Sequence, residues 1–180
     1  MRAFFAFPIP EEIRSRLWRE LEPLRRAGPG VAWVASEQLH ITLIFLGELD
    51  AARARRAQSL LSDPALSYSP FFVELHGLGG FPARGSPRVI FAELTEGVEE
   101  CRAFHRKLAP LAEDIAPVER RPYIPHVTLG RVKRLGDRLD LASHDGTQAR
   151  FAIERCVLFE SILRRQGALY REVGAIDFVR

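Results

Sequence analysis

Two stretches of this 180-residue chain repeat one pattern, and each lies in an apolar run typical of a β-strand. HITL occupies residues 40–43, and HVTL occupies residues 126–129. Side chains alternate between the two faces of a strand. Each stretch therefore presents His and Thr together on one face and aliphatic side chains on the other. Because the copies lie close to half a chain apart, the repetition predicts two lobes of similar build with one such strand in each.

Helical and strand-like segments alternate irregularly along the rest of the chain. Hydrophobic spacing predicts helices over 11–26, 51–61 and 97–113, and Asp50 is placed to cap the second. Because strands pair locally while helices interrupt them, an α+β fold is favoured over a doubly wound parallel sheet. The main predicted strands cover 2–7, 39–49, 71–82, 88–94, 122–132, 151–163 and 168–179.

Composition narrows the classes of protein that fit. The chain is 47% hydrophobic and 27% charged, which is typical of a globular protein long enough to bury a core. No apolar run approaches the roughly 20 residues of a membrane span. The net charge of +3 permits an anionic partner without requiring one. Cys101 and Cys156 fit neither a disulfide framework nor a metal-binding cluster, which favours buried thiols in a reducing cytoplasm.

The paired histidines suit phosphodiester chemistry. A neutral imidazole accepts a proton from an attacking hydroxyl, and a protonated imidazole donates one to a leaving oxygen. Threonine hydroxyls can donate to the phosphate oxygens on which charge builds up in the transition state. The sequence has no H-x-E, H-E-x-x-H or C-x-x-C ligand set, so no metal is predicted. Two structural histidines on unrelated strands are the alternative interpretation of the pattern alone.

The sequence resembles a known family along nearly its whole length. HITL followed by IFLGE, and PHVTL followed by GR, resemble the two motifs of the 2H phosphoesterase superfamily. The similarity is greatest to its bacterial and archaeal RNA 2′,3′-cyclic phosphodiesterases, historically called 2′-5′ RNA ligases. Other segments that resemble that branch are RAFFAFPIPEEIRSRL, VAWVASEQLHITLIFLGEL, LHGLGGFPARGSPRVIFAEL and LFESILRRQGALY.

This resemblance implies a single bilobal domain over residues 1–180, with motif strands at 39–46 and 126–132. Two pseudo-symmetric lobes, each an antiparallel sheet with helices outside, would flank a central cleft. The implied activity is hydrolysis of RNA 2′,3′-cyclic phosphate ends to a 2′-phosphate without cofactor. It also includes the joining of tRNA half-molecules through 2′-5′ links. By motif position, His40 is the proton donor, His126 is the proton acceptor, and Thr42 and Thr128 bind the phosphate.

Residues near the motifs are further candidates. Arg131 matches the family's second motif, although strict alternation points it away from His126, and a bulge at Gly130 would turn it back. Arg121 and Tyr123 precede that motif and are predicted to contact substrate, with Tyr123 offering a ring for base stacking. Phe45 is predicted to lie in the core.

The prediction is therefore a monomeric cytoplasmic phosphodiesterase that acts on RNA ends and does not bind membranes. Three other functions stay open. They are a related enzyme acting on a small cyclic nucleotide, a non-catalytic RNA-binding module, and an RNA ligase as the physiological role.

Overall fold

The computed structural model describes residues 1–28, 30–83, 86–133, 141, 148–164 and 167–179. Its helices are α1 (Glu11–Glu20), α2 (Glu22–Ala27), α3 (Ala51–Ser59) and α4 (Val98–Glu113). Short 3-10 turns cover Ser36–Gln38, Leu60–Ser62 and Pro64–Leu66. The strands are β1 (Arg2–Pro8), β2 (Val31–Trp33), β3 (His40–Glu48), β4 (Phe71–Phe81), β5 (Val89–Glu96), β6 (His126–Val132), β7 (Ala149–Ile153), β8 (Arg155–Arg164) and β9 (Gly167–Asp177).

These strands form one antiparallel sheet with the two motif strands at its centre. The strand order is β7-β4-β5-β6-β3-β1-β8-β9, and β2 pairs with β6 beside this path. Along this path the junction between β6 and β3 lies midway. The predicted α+β class is confirmed. The motif strands are direct neighbours, paired at Ile41 and Val127, and do not belong to two separate sheets.

The hydrophobic core lies on one face of β3 and β6. Ile41 and Val127 are fully buried there and share a cluster with Leu17 of α1 and Phe104 and Leu108 of α4. Burial of such side chains stabilises the fold by about 1.5–3 kcal/mol each. Because alternate residues point the opposite way, His40, Thr42, His126 and Thr128 lie on the other face. We call this second face of β3 and β6 the motif face.

A β-bulge follows the motif in both central strands. In β3, Ala6 lies opposite Thr42 and Phe5 lies opposite Ile44, which leaves Leu43 as the extra residue. In β6, the corresponding extra residue is Leu129. Two consecutive residues are buried at each bulge, and the alternation then resumes with its phase reversed. The fifth residue after each motif histidine, Phe45 or Arg131, therefore returns to the motif face.

Several sequence predictions are confirmed and others are wrong. The Asp50 carboxylate accepts a hydrogen bond of 2.8 Å from the Arg53 backbone N–H, so it caps α3 as predicted. The predicted helix over 11–26 is interrupted at Leu21, where Pro23 in the first turn of α2 cannot donate a backbone hydrogen bond. The predicted strand 151–163 divides at Glu154, because β7 pairs with β4 and β8 pairs with β1.

Phe45 is a further correction. Its side chain was predicted to be in the core and is instead 48% exposed. The bulge at Leu43 reverses the face on which it lies. No helix in the described residues is long and apolar enough to cross a membrane.

Gly130 follows the extra residue of the second bulge, and its close packing against β2 can be tested. A Cβ at this position would lie 2.6 Å from Val31 Cγ1 and 3.0 Å from Trp33 Cε3, closer than van der Waals contact. We expect Gly130→Ala to lower the free energy of unfolding by about 1–3 kcal/mol, measured by urea denaturation. Val31→Ala in the same chain should relieve the overlap, so the double variant should lose less than the sum of both single losses. Strictly additive losses would contradict the steric explanation.

Candidate active site

Pairing of the motif strands brings the two histidines to one location. The register at Ile41 and Val127 is antiparallel, so His40 lies level with Thr128, and Thr42 lies level with His126. Burial is the largest cause of the lowered pKa of His40, and the charge of His126 lowers it further, which agrees with two rings near one another. Two imidazoles and two hydroxyls therefore share the motif face.

The tautomer of His40 follows from its hydrogen bonds. Nδ1 lies 2.6 Å from the Gln38 carbonyl oxygen, which can only accept, so Nδ1 carries the proton in the neutral ring. Nε2 then has a free lone pair and accepts a hydrogen bond of 2.9 Å from the Thr42 hydroxyl. Thr42 thus orients the nitrogen that performs any proton transfer.

His126 repeats half of this arrangement. Its Nδ1 donates to the carbonyl oxygen of Ile124 at 2.7 Å, again two residues earlier in the chain. The neutral ring therefore also carries its available lone pair on Nε2. Both histidines are held in the same tautomer by the backbone just before their own strand.

Aromatic packing partly shields both imidazoles from water. The ring centroids of Phe4 and Tyr170 lie 4.9 and 5.3 Å from the centroid of the His40 imidazole. Phe81 and Phe91 lie 5.1 and 5.2 Å from the ring of His126. Desolvation by burial lowers the pKa of His40 to about 4, against an opposing effect of its carbonyl partner. Burial likewise lowers the pKa of His126 below its ordinary value of 6.5.

Arg131 lies on the motif face, as its bulge requires. Its side chain is exposed, and its positive charge contributes to lowering the pKa of His126. The same charge lowers the pKa of the Tyr170 hydroxyl on β9, against the larger effect of burial, which raises it. The structure therefore brings Arg131 into the neighbourhood of the histidines, where an anion would be attracted. Its contact with substrate stays a prediction.

Tyr123 contacts the backbone of the first motif strand, β3. Its hydroxyl donates to the backbone carbonyl of Thr42 at 2.9 Å, and its ring is stacked on His105 with centroids 4.3 Å apart. One face of the ring is thereby occupied by protein. The predicted base stacking on Tyr123 stays a prediction, but the observed contacts fix the position of Thr42.

Arg121 lies further out than the other candidates. Its guanidinium forms two hydrogen bonds with the Glu119 carboxylate, of 2.8 and 3.0 Å, and its side chain is 82% exposed. None of the contacts described for Arg121 connects its side chain to the motif histidines. Its role in substrate binding also stays a prediction.

Tyr170 belongs to this location and was missed by sequence reasoning. It lies on β9, far from both motifs in the chain, and reaches His40 because β1 and β8 connect the strands laterally. Burial raises the pKa of its hydroxyl, while the charges of Arg131 and Arg2 lower it. In the sequence, the only signal for Tyr170 was the resemblance of the segment LFESILRRQGALY to the family.

The described residues contain no group of three or more His, Cys, Asp and Glu side chains arranged to hold a metal ion. The polar groups that the described residues of β3 and β6 place on the motif face include two imidazoles, two hydroxyls and the guanidinium of Arg131.

Comparison with known proteins identifies the family. The sequence model of the 2′-5′ RNA ligase superfamily matches residues 13–161. The chain belongs to this superfamily. An RNA 2′,3′-cyclic phosphodiesterase of Archaeoglobus fulgidus is 31% identical, over 98% of this chain and 100% of its own. A protein of the same name from Thermotoga maritima is 28% identical, over 99% of this chain and 96% of its own.

Solved structures agree with this membership. The protein TT0787 of Thermus thermophilus superposes with a TM-score of 0.80 and 29% sequence identity, covering 99% of this chain and 98% of its own. Escherichia coli LigT, in a complex with 3′-AMP, superposes with a TM-score of 0.81 and 25% identity, with the same coverage. The fold described above is therefore shared with these proteins.

The orientation of Arg131 can be tested through its neighbour. Because a cation disfavours protonation of an imidazole, Arg131→Gln should raise the pKa of His126. The measurement is an NMR titration of the histidine ring protons. Arg121→Gln is a matched control, since that guanidinium pairs with Glu119 and should leave His126 unaffected. An unchanged His126 pKa in Arg131→Gln would place that side chain away from the motif face.

Proposed function

We propose that this protein hydrolyses RNA 2′,3′-cyclic phosphate ends to 2′-phosphates by acid–base catalysis with two histidines. One observation carries the proposal. The paired strands β3 and β6 present two imidazoles on one face, each with Nδ1 bonded to a backbone carbonyl and Nε2 directed away from it. In His40 this Nε2 accepts from the Thr42 hydroxyl. Neutral imidazole is a suitable base, and its protonated form is a suitable acid at moderate pH.

The names of related proteins support the substrate. The relatives from Archaeoglobus fulgidus and Thermotoga maritima are both named RNA 2′,3′-cyclic phosphodiesterase, and each aligns over nearly the whole chain. We carry this activity to the present chain because its motif residues and its sheet are both intact.

In the proposed reaction, His126 Nε2 takes a proton from water while the water oxygen attacks phosphorus. The bond between phosphorus and the 3′ oxygen breaks, and His40 donates a proton from Nε2 to that oxygen. The product carries a 2′-phosphate. We assign the phosphate oxygens to the hydroxyls of Thr42 and Thr128, with Arg131 as an additional cation, because charge develops on these oxygens in the transition state. Both proton transfers use groups of the chain itself, so we assign no metal or other cofactor.

Protonation of His40 depends on the substrate. In the free protein its pKa is about 4, so the neutral ring dominates near pH 7. A bound cyclic phosphate carries a negative charge beside the ring, and a neighbouring anion raises the pKa of an imidazole. Binding of substrate thus helps to supply the acid that the reaction needs.

We extend the proposal to an RNA hydroxyl in place of water. Attack by that hydroxyl would join two RNA ends through a 2′-5′ link, and the reverse reaction would cleave the link. This extension is supported by the family to which the chain belongs. As partners we propose RNA fragments such as tRNA halves. We further propose that residues 1–180 form one phosphoesterase domain with two lobes. The protein would be a monomer in the cytoplasm.

Substitution of either histidine tests the mechanism. We expect His40→Ala and His126→Ala each to lower kcat/KM by about 10²-fold or more on an oligonucleotide with a 2′,3′-cyclic end. Thr42→Ala and Thr128→Ala should lose less, about tenfold, because other phosphate contacts remain. His76→Ala, an exposed histidine of β4, is the control and should retain full activity. If His40→Ala or His126→Ala retained nearly full activity, with its fold intact by circular dichroism, the two-histidine mechanism would be disproved.

Product analysis in the same assay identifies the chemistry. A 2′-phosphate product is expected, whereas a 3′-phosphate would reverse the leaving oxygen. A protein that binds the oligonucleotide without turnover would be an RNA-binding module. Efficient hydrolysis confined to small cyclic nucleotides would assign the alternative substrate class.

The pH profile follows from the two imidazoles. kcat/KM reports the free enzyme, and its maximum lies midway between the two pKa values. Since the pKa of His40 is about 4 and that of His126 is below 6.5, the maximum should fall on the acid side of pH 6.5. This result does not depend on which histidine is the acid. A maximum well above pH 6.5 in a profile measured from about pH 4 to 9 would contradict the assignment.

A further inference from the structure

Phe45 is a large aromatic side chain that the fold leaves exposed beside the candidate site. Its neighbours Leu43, Ile44 and Leu46 in β3 are buried, whereas Phe45 is 48% exposed. The bulge at Leu43 turns it onto the motif face with His40. What distinguishes Phe45 from other exposed apolar side chains is its place beside the motif histidines, where part of its ring is open to a planar group of a substrate.

Aromatic contacts connect Phe45 to the catalytic histidine. The ring of Phe4 lies 6.1 Å from that of Phe45, at an interplanar angle of 13°, and 4.9 Å from the His40 imidazole. Phe45 is thus two ring contacts away from His40 and lies beyond it along the motif face. A substrate whose leaving oxygen meets His40 would have the rest of its chain on this side.

Arg2 adds a positive charge to the same place. Its guanidinium carbon lies 5.0 Å from the centroid of the Phe45 ring. The carboxylate opposite Arg2 in the register, that of Glu48, bonds to the Met1 ammonium at 2.7 Å. Arg2 itself forms no salt bridge with any described residue. An arginine over an aromatic ring offers its planar face to a base and its N–H groups to a phosphate.

We propose that Phe45 and Arg2 form a subsite for the penultimate nucleotide of the RNA, with its base on Phe45 and its linking phosphate on Arg2. This inference rests on the proposed function, because it assigns the cyclic phosphate to the histidines. A mononucleotide 2′,3′-cyclic phosphate has a single phosphate, which the motif residues occupy, and leaves Arg2 without a partner. The subsite therefore makes the protein prefer RNA ends over free cyclic nucleotides.

Two substrates separate this subsite from the catalytic centre. They are adenosine 2′,3′-cyclic phosphate and the dinucleotide adenylyl-adenosine 2′,3′-cyclic phosphate. Phe45→Leu should lower the ratio of kcat/KM for the dinucleotide to that for the mononucleotide by about tenfold, as expected for a lost base–aromatic stack. Arg2→Gln should lower the same ratio by about threefold and reduce its dependence on salt.

The matched control is Phe72→Leu. Phe72 is also 50% exposed and lies 4.1 Å from the guanidinium carbon of Arg150, but it belongs to β4, where it pairs with the edge strand β7. This variant should leave the ratio unchanged. If Phe45→Leu lowered kcat/KM equally for both substrates, the ring would contact the terminal nucleotide. If kcat/KM were unchanged for both substrates, the ring would contact neither nucleotide. Either result would overturn the subsite.

A binding measurement separates the subsite from the activity. Calorimetric titration with the dinucleotide bearing a terminal 2′-phosphate requires no turnover. About tenfold weaker binding of the dinucleotide by Phe45→Leu than by the unsubstituted protein, with the Kd of adenosine 2′-phosphate unchanged, would support the subsite even if neither cyclic phosphate is hydrolysed. Absence of hydrolysis would then count against the proposed function alone. Equal Kd values for Phe45→Leu and the unsubstituted protein would overturn the subsite.

Discussion

Antiparallel pairing of β3 with β6 at Ile41 and Val127 is the contact on which the candidate site depends. It joins strands from the two halves of the chain at the middle of one sheet. Because side chains alternate, burial of Ile41 and Val127 on one face forces the motif histidines and threonines to the other. A shift of one residue in either strand would exchange the two faces. The hydrophobic core thus fixes the register, and the register brings the motif histidines and threonines together.

Electrostatics on the motif face follow from the packing around it. Aromatic rings surround both imidazoles, and the resulting loss of water lowers both pKa values despite favourable carbonyl contacts. In the proposed mechanism, a neutral imidazole suits the base, whereas the acid requires a proton that an anionic substrate would help to retain. Arg131 contributes from the second bulge, where its charge lowers the pKa of His126 and attracts an anion. Under the proposed function, the negative charge of a bound phosphate would complete the electrostatics of the site.

Local sequence rules account for a good part of this structure. Period-two alternation correctly placed His and Thr on one face of each motif strand, and Asp50 was correctly assigned as a helix cap. The same alternation does not hold beyond the motifs, where Phe45 was wrongly predicted to lie in the core. A bulge reverses the phase of a strand, and it arises from pairing with a partner that is distant in the chain. The predicted strand 151–163 failed for a similar reason, since its two halves pair with opposite sides of the sheet.

The sequence by itself determined the residue types and their local order: an imidazole and a hydroxyl two positions apart, twice, within apolar strands. Those features depend only on neighbours in the chain. Tertiary structure alone decided that the two copies are adjacent, that Tyr170 reaches His40, and that Phe45 and Arg131 turn toward the same face. These outcomes depend on strand pairing between distant segments, because only pairing sets the register, the bulges and the lateral order of strands.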